Sequence, residues 1–197
     1  AFGNTALMTN IGGDENNAFG YEALKMNSGG NRCAAFGHQA LKANLESDNS
    51  AFGHSALVLN GGGQGNSAFG YKSLTTNVSG HFNSAFGHQA LDKNTNSNNN
   101  AFGYECLKLN TGTPNNAFGF QTMKGAGTHV NCSAFGHQVL PVSTGSSNSA
   151  FGHHALNANQ AGHNNCVFGT RSMTLNQAGQ QNNAFGVDAL ATMTASH

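Results

Sequence analysis

Apolar positions along this chain recur in one fixed phrase, Ala-Phe-Gly-x-x-Ala-Leu, followed each time by a polar, Asn-rich stretch. Copies start at Ala1, Ala18, Ala35, Ala51, Ala68, Ala85, Ala101, Ala117, Ala134, Ala150, Val167 and Ala184, twelve in all, so the step is always 16 or 17 residues. A unit that short cannot enclose its own apolar side chains. It must stack on the next copy, and a chain of such units is expected to fold as one mainly-β solenoid of twelve coils across residues 1–197.

Stacking turns each position of the phrase into a column of side chains about 4.8 Å apart. The second column is Phe throughout, and the seventh is Leu except for Met123 and Met173. Size and hydrophobicity make both columns candidate core ladders: Phe19, Phe36, Phe52, Phe69, Phe86 and Phe102 beside Leu24, Leu41, Leu57, Leu74, Leu91 and Leu107. The sixth column holds small residues, from Ala6 and Ala23 through Ser73, Cys106 and Thr122 to Ala189, as a crowded interior demands.

Gly occupies the third column in every copy, from Gly3 to Gly186. Such a column marks a corner where the backbone adopts a conformation closed to other residues or passes close to a neighbouring segment. Before the corner, Asn-Ser-Ala-Phe (49–52, 66–69, 83–86) alternates polar and apolar residues and predicts a short strand. After it, Tyr21-Glu-Ala-Leu-Lys-Met and His38-Gln-Ala-Leu-Lys-Ala are rich in helix formers and predict one or two helical turns. An all-strand coil is the other reading of runs this short.

Asn fills the tenth column in nine of twelve copies and stands two residues before the next copy at nine of eleven junctions. A stacked amide can accept from one neighbour, donate to the other and still reach a turn carbonyl, so both columns read as structural ladders. The stretch after the tenth column varies most, with Asp14-Glu15, Asn31-Arg32 and Thr128 to Val130 among its members. In a solenoid, that is the usual place for binding loops and equally for ordinary solvated turns.

Composition narrows function. Only 8% of the residues are charged and the formal net charge is zero, so no basic face is available for phosphates and nucleic acid is a poor partner. No apolar run approaches the length of a membrane span. No nucleophile elbow, phosphate loop, zinc-hydrolase helix or paired carboxylates occur, which points away from an enzyme; no catalytic residue, metal or cofactor is assigned.

The column most suggestive of function is the fourth, where Tyr21, His38, His54, Tyr71, His88, Tyr104, Phe120, His137 and His153 fill consecutive copies. Such a stripe stiffens a solenoid, makes a lateral contact with another subunit, or presents aromatic rings to sugars. A metal shared by His38 and His54, or by His137 and His153, is a weaker reading, because no carboxylate or thiol recurs at a column that would complete the ligand set. Cys33 and Cys132 share a column but lie six coils apart, and Cys132 and Cys166 two coils apart, too far to bridge within the chain. All four cysteines, Cys106 included, are expected to be small buried side chains, with cross-links between protomers as the alternative.

Phrases such as Asn83-Ser-Ala-Phe-Gly-His-Gln-Ala-Leu91 resemble the A-I-G-x-x-A-L repeats of fibre-like surface proteins of bacteria, phages and large viruses. More distantly they are similar to the head repeats of trimeric autotransporter adhesins. Here Phe replaces the usual Ile, and the period exceeds that of the adhesin-head coil. The resemblance implies an extracellular, cell-surface or virion-surface fibre, and it assigns no site residue. Neither end of the chain reads as a polar cap, so Phe2 and Leu7 of one copy are expected to meet Phe185 and Leu190 of another, head to tail. The partner is then the chain itself, with glycans or a host surface as partners in the adhesin alternative.

Overall fold

The structure is a computed structural model that describes residues 1–125 and 127–193. It divides into two units, Ala1–Asn99 and Asn100–His197, each a parallel β-solenoid. In the first, the strands Asn17–Phe19, Ala34–Phe36, Ser50–Phe52, Ser67–Phe69 and Ser84–Phe86 pair in parallel with equivalent residues in register. A second sheet joins Thr9–Asn10, Met26–Asn27, Ala43–Asn44, Leu59–Asn60 and Thr76–Asn77. In the second unit, Asn115–Phe118, Cys132–His137, Ser149–His153, Cys166–Phe168 and Asn183–Phe185 form the equivalent of the first sheet. The strands Leu175–Asn176 and Thr192–Met193 pair alongside.

The repeats give about ten complete turns rather than twelve. The first copy pairs with Met26–Asn27 through Thr9–Asn10, but it joins the sheet of Asn17–Phe19 only through an isolated bridge between Phe2 and Phe19. The last runs into residues 194–197, and any shortfall of its final period lies outside the described residues.

Among the described residues there is no helix, which corrects the helical turn expected after the corner glycine. A helix needs consecutive right-handed dihedrals. Here the fifth and seventh columns are both left-handed, with φ of 54° at Glu22 and 48° at Leu24, then 58° at Gln39 and 49° at Leu41. The Leu24 amide consequently donates to the Ala40 carbonyl of the next coil at 3.0 Å, and Leu41 to Ala56 at 3.1 Å, instead of four residues back. A left-handed non-glycine residue costs roughly 1–2 kcal/mol. In-register coil contacts and the burial of Leu, which contributes about 1.5–3 kcal/mol per side chain, offset that strain.

The interior is built from five columns, one of them the tenth-column asparagines such as Asn44, Asn60 and Asn77. Leu24, Leu41, Leu57, Leu74, Leu91 and Leu107 are fully buried, and so are the small sixth-column residues Ala40, Ser73, Cys106 and Thr122. The first-column alanines, such as Ala35, Ala51 and Ala68, and the asparagines Asn49, Asn66 and Asn83 share that interior. Strand alternation then sends Phe outward. Phe19 is 52% exposed and Phe36 39%, while Phe52, Phe69, Phe86 and Phe102 are half-buried, so the expected Phe core ladder is in fact an outer one. The parity follows from volume and polarity: a narrow coil accommodates Ala and a hydrogen-bonded Asn two residues away, and the intervening and following residues must face out.

The amide ladders meet their expected role. Asn44 donates to Asn27 Oδ1 at 2.9 Å, Asn60 to Asn44 at 2.7 Å and Asn77 to Asn60 at 2.9 Å, while Asn60 and Asn77 also reach the Gly63 and Gly80 carbonyls. In the junction ladder the Asn66 and Asn83 backbone amides donate to the preceding asparagine side chain, each at 2.9 Å. Every buried amide in these runs is thereby partnered across coils, which specifies the register.

Candidate functional site

Two aromatic ladders flank the corner glycines. On one side the outward Phe rings stack coil on coil, with centroids 4.8 Å apart for Phe36–Phe52 and 4.6 Å for both Phe52–Phe69 and Phe69–Phe86. The second unit repeats this from Phe102 to Phe185, at 4.6 Å for Phe102–Phe118 and 4.5 Å for Phe151–Phe168. A Cβ at a corner glycine would strike the next coil's backbone, which keeps the strand before it and the turn after it tightly stacked: 2.5 Å from Gly20 to the Gly37 carbonyl oxygen, and 2.5 Å from Gly53 to that of Gly70.

On the other side of the corner, the fourth column forms the stripe expected from the sequence. In the first unit Tyr21–His38, His38–His54, His54–Tyr71 and Tyr71–His88 follow at 5.0, 4.6, 5.5 and 5.1 Å. In the second, Tyr104–Phe120, Phe120–His137 and His137–His153 follow at 5.2, 4.9 and 4.9 Å. All of these residues are exposed except His88, which is half-buried. Nearly all the pairs are stacked face to face, so their faces are occupied by one another and their edges meet solvent.

Beside the stripe, two carboxylates act as clamps between coils. Glu22 accepts from Lys25 at 2.6 Å, from Lys42 of the next coil at 2.7 Å and from Gln39 at 2.8 Å. Glu105 repeats the set with Lys108 at 2.6 Å, Lys124 at 2.7 Å and Gln121 at 2.9 Å. The lysine hydrogen bonds, led by Lys25 for Glu22 and Lys108 for Glu105, hold each carboxyl down to about 2.

Sequence reasoning missed His154. It sits in the fifth column, whose left-handed backbone (φ 57°) sets its ring edge-on to His153 at 4.1 Å and near His137 at 5.6 Å. The His153-His154 doublet was the available signal. Burial, then the neighbouring His153 and His137, push the His154 imidazole below its usual value.

The variable loops prove regular. The backbone amide of Arg32 donates to the Asp14 carbonyl at 2.9 Å, Phe82 to Gln64 at 3.0 Å and Gln181 to His163 at 3.0 Å, one coil apart in each case. Arg32 also pairs two-pronged with Asp48, at 2.7 and 3.0 Å. These turns carry the ladder around the coil.

The cysteines divide. Cys33, Cys106 and Cys132 are buried, whereas Cys166 is half-exposed, because it stands one residue before the first column, on the outward parity. Burial raises the Cys106 thiol to about 12. His129 is a second surprise. It is fully buried, neither ring nitrogen has a hydrogen-bond partner, and desolvation lowers its pKa to about 4.

Of the residues proposed for end-to-end contact, Phe2 and Phe185 are 68% and 66% exposed and Leu190 is 45% exposed, while Leu7 is half-buried. Inside each unit the seventh-column counterparts of Leu7 and Leu190 are fully buried, whereas the second-column phenylalanines stay exposed or half-buried. No protein-family model, curated protein or solved structure matches the chain.

Proposed function

We propose that the chain is a structural protomer of an extracellular filament or surface fibre, whose work lies in stiffness and self-association rather than catalysis. The observation that carries this reading is the identity of the contacts from coil to coil. Most turns present the same Phe ring, a Leu or Met, a small residue and asparagine amides to the neighbour, so any further coil of the same kind extends the ladders. This reading assigns the contact with such a coil to the exposed Phe2, Phe185 and Leu190. A contact between unlike ends of identical copies propagates as a filament. The resemblance to surface-fibre repeats supports the same reading and is the ground for the extracellular placement.

Electron microscopy of the purified chain at neutral pH tests it. Long unbranched filaments with an axial layer line near ~4.8 Å are expected. Short discrete particles at every concentration would remove end-to-end association.

The exposed stripe favours a second reading, a glycan- or host-surface-binding module. Because ring faces are stacked on each other, a sugar would engage ring edges and the Tyr21, Tyr71 and Tyr104 hydroxyls. Glycan-array binding that disappears in a Tyr71→Ala, His88→Ala, Tyr104→Ala variant would favour it over the structural reading.

A further inference from the structure

We propose that His137, His153 and His154 form a binding site for a divalent transition-metal ion of the imidazole-preferring class, Zn²⁺ or Ni²⁺. One ligand nitrogen from each of the three rings lies within 4.8 Å of the others, and among the described residues no other three histidine, cysteine or acidic side chains meet in this way. Imidazole nitrogens bind zinc at about 2.0–2.1 Å, and three histidines with one open position is an established zinc geometry. The three nitrogens therefore need to close only modestly around an ion.

The backbone brings these rings together without regard to the ion. His137 and His153 are paired residues of adjacent parallel strands, and the His154 amide donates to the His137 carbonyl at 3.0 Å. Their register is thus set by the coil stack. The two strand rings are stacked 4.9 Å apart and nearly parallel, so each must turn about its ring torsion for its lone pair to converge on a common point. Both are exposed and can do so into solvent. The third ring already lies across them, at 61° to His137 and 75° to His153.

His154 is also held from behind. Its Nδ1 is 3.0 Å from the Asn157 side-chain amide; ligation through Nε2 needs Nδ1 to carry the ring proton, with that amide turned so that its Oδ1 accepts it. A ligating histidine commonly has its other nitrogen fixed by such a polar partner, which sets the tautomer and ring orientation. The cation next in that column, Arg171, does not oppose a second positive charge strongly. Its guanidinium is paired two-pronged with Asp188, at 2.7 and 2.6 Å. A two-histidine pair such as His38 and His54 has no equivalent third ring, since Ser55 occupies the position of His154. The Ser55 hydroxyl bonds to His54 Nδ1 at 2.8 Å.

The bound ion would tie two adjacent coils together and leave a coordination position for water or for a donor from another molecule. The test is calorimetric titration of the chelator-treated chain with Zn²⁺, and in parallel with Ni²⁺, at neutral pH. One strong equivalent per chain is expected. His154→Ala and His153→Ala should each weaken it by at least ~10-fold, Asn157→Ala by about 10-fold as a supporting partner, and His38→Ala should leave it unchanged. Absence of a strong equivalent would overturn the site, as would full affinity in His154→Ala and His153→Ala or equal loss in His38→Ala. If His154→Ala loses its β circular dichroism, the exposed His153→Ala and His137→Ala variants decide by the same criterion. Imidazole proton resonances of the three residues should broaden selectively on adding Ni²⁺.

Discussion

Gly37 and Gly53 stand on adjacent coils at a separation that admits no side chain: a β-carbon on Gly37 would lie 2.4 Å from the Gly53 carbonyl oxygen and 2.7 Å from its carbonyl carbon. The Gly37 φ of +137° is also one that other residues rarely adopt. Two costs therefore coincide at this position. At Gly186, where φ is +120° and nothing lies within 4 Å, only the second applies.

This contrast yields the first prediction. Gly186→Ala should cost about 1–3 kcal/mol, the usual range for a strained backbone. Gly37→Ala must in addition separate two coils and should exceed about 4 kcal/mol, the region reserved for severe packing faults. Equal shifts of the urea midpoint in the two variants would show that close approach of the coils is not what selects glycine.

The outward Phe ladder predicts an inversion of the ordinary hierarchy of side-chain size. Leu74→Ala opens a cavity in a fully buried column and should cost about 2–5 kcal/mol. Phe69→Ala removes a larger but half-buried ring, with its two stacking contacts, and should cost about 1–2 kcal/mol. If Phe69→Ala proved the more damaging of the two in chemical denaturation, the ladder would be core after all.

The two carboxylate clamps set an acid limit. Glu22 and Glu105 have carboxyls lowered from 4.5 to about 2 in the folded chain, so their stabilisation is fully present above 4.5 and is lost as pH falls from there towards 2. The double variant Glu22→Gln, Glu105→Gln should be less stable than the parent at pH 6 and nearly equal to it at pH 2. Thermal melts across that interval decide, and parallel curves for the two proteins would dismiss the clamps.

His129 places a separate loss at higher pH. Its imidazole is lowered from 6.5 to about 4, so the unfolded chain binds the proton more readily than the folded one between those values. Stability should be intact above 6.5 and fall as pH drops towards 4, by about 3 kcal/mol in total. His129→Leu, which fills similar volume and leaves no unpartnered ring nitrogen, should remove most of that segment of the pH curve, His154 supplying the remainder, while leaving the segment below 4.5 in place. A curve unchanged by the substitution would mean that this histidine is protonated equally in both states.

The repeat, its phase, the corner glycine, the small and Leu columns and the hydrogen-bonded roles of asparagine were all legible in the sequence. Periodicity carries them: a residue type that returns every 16 or 17 positions must meet its own copy, and size or amide chemistry then dictates what it does there. Three things were decided only in three dimensions. The helix formers after Gly20 and Gly37 form no helix, because the bonds of Leu24 and Leu41 to the next coil outweigh a local propensity that a four-residue segment cannot express. Phe faces outward because Asn and Ala share one strand parity and Phe has the other, and alternation alone cannot say which set the narrow interior will accept. His154 joins His137 and His153 through a left-handed residue at the turn, a backbone choice made by coil stacking that the His153-His154 doublet signals without placing.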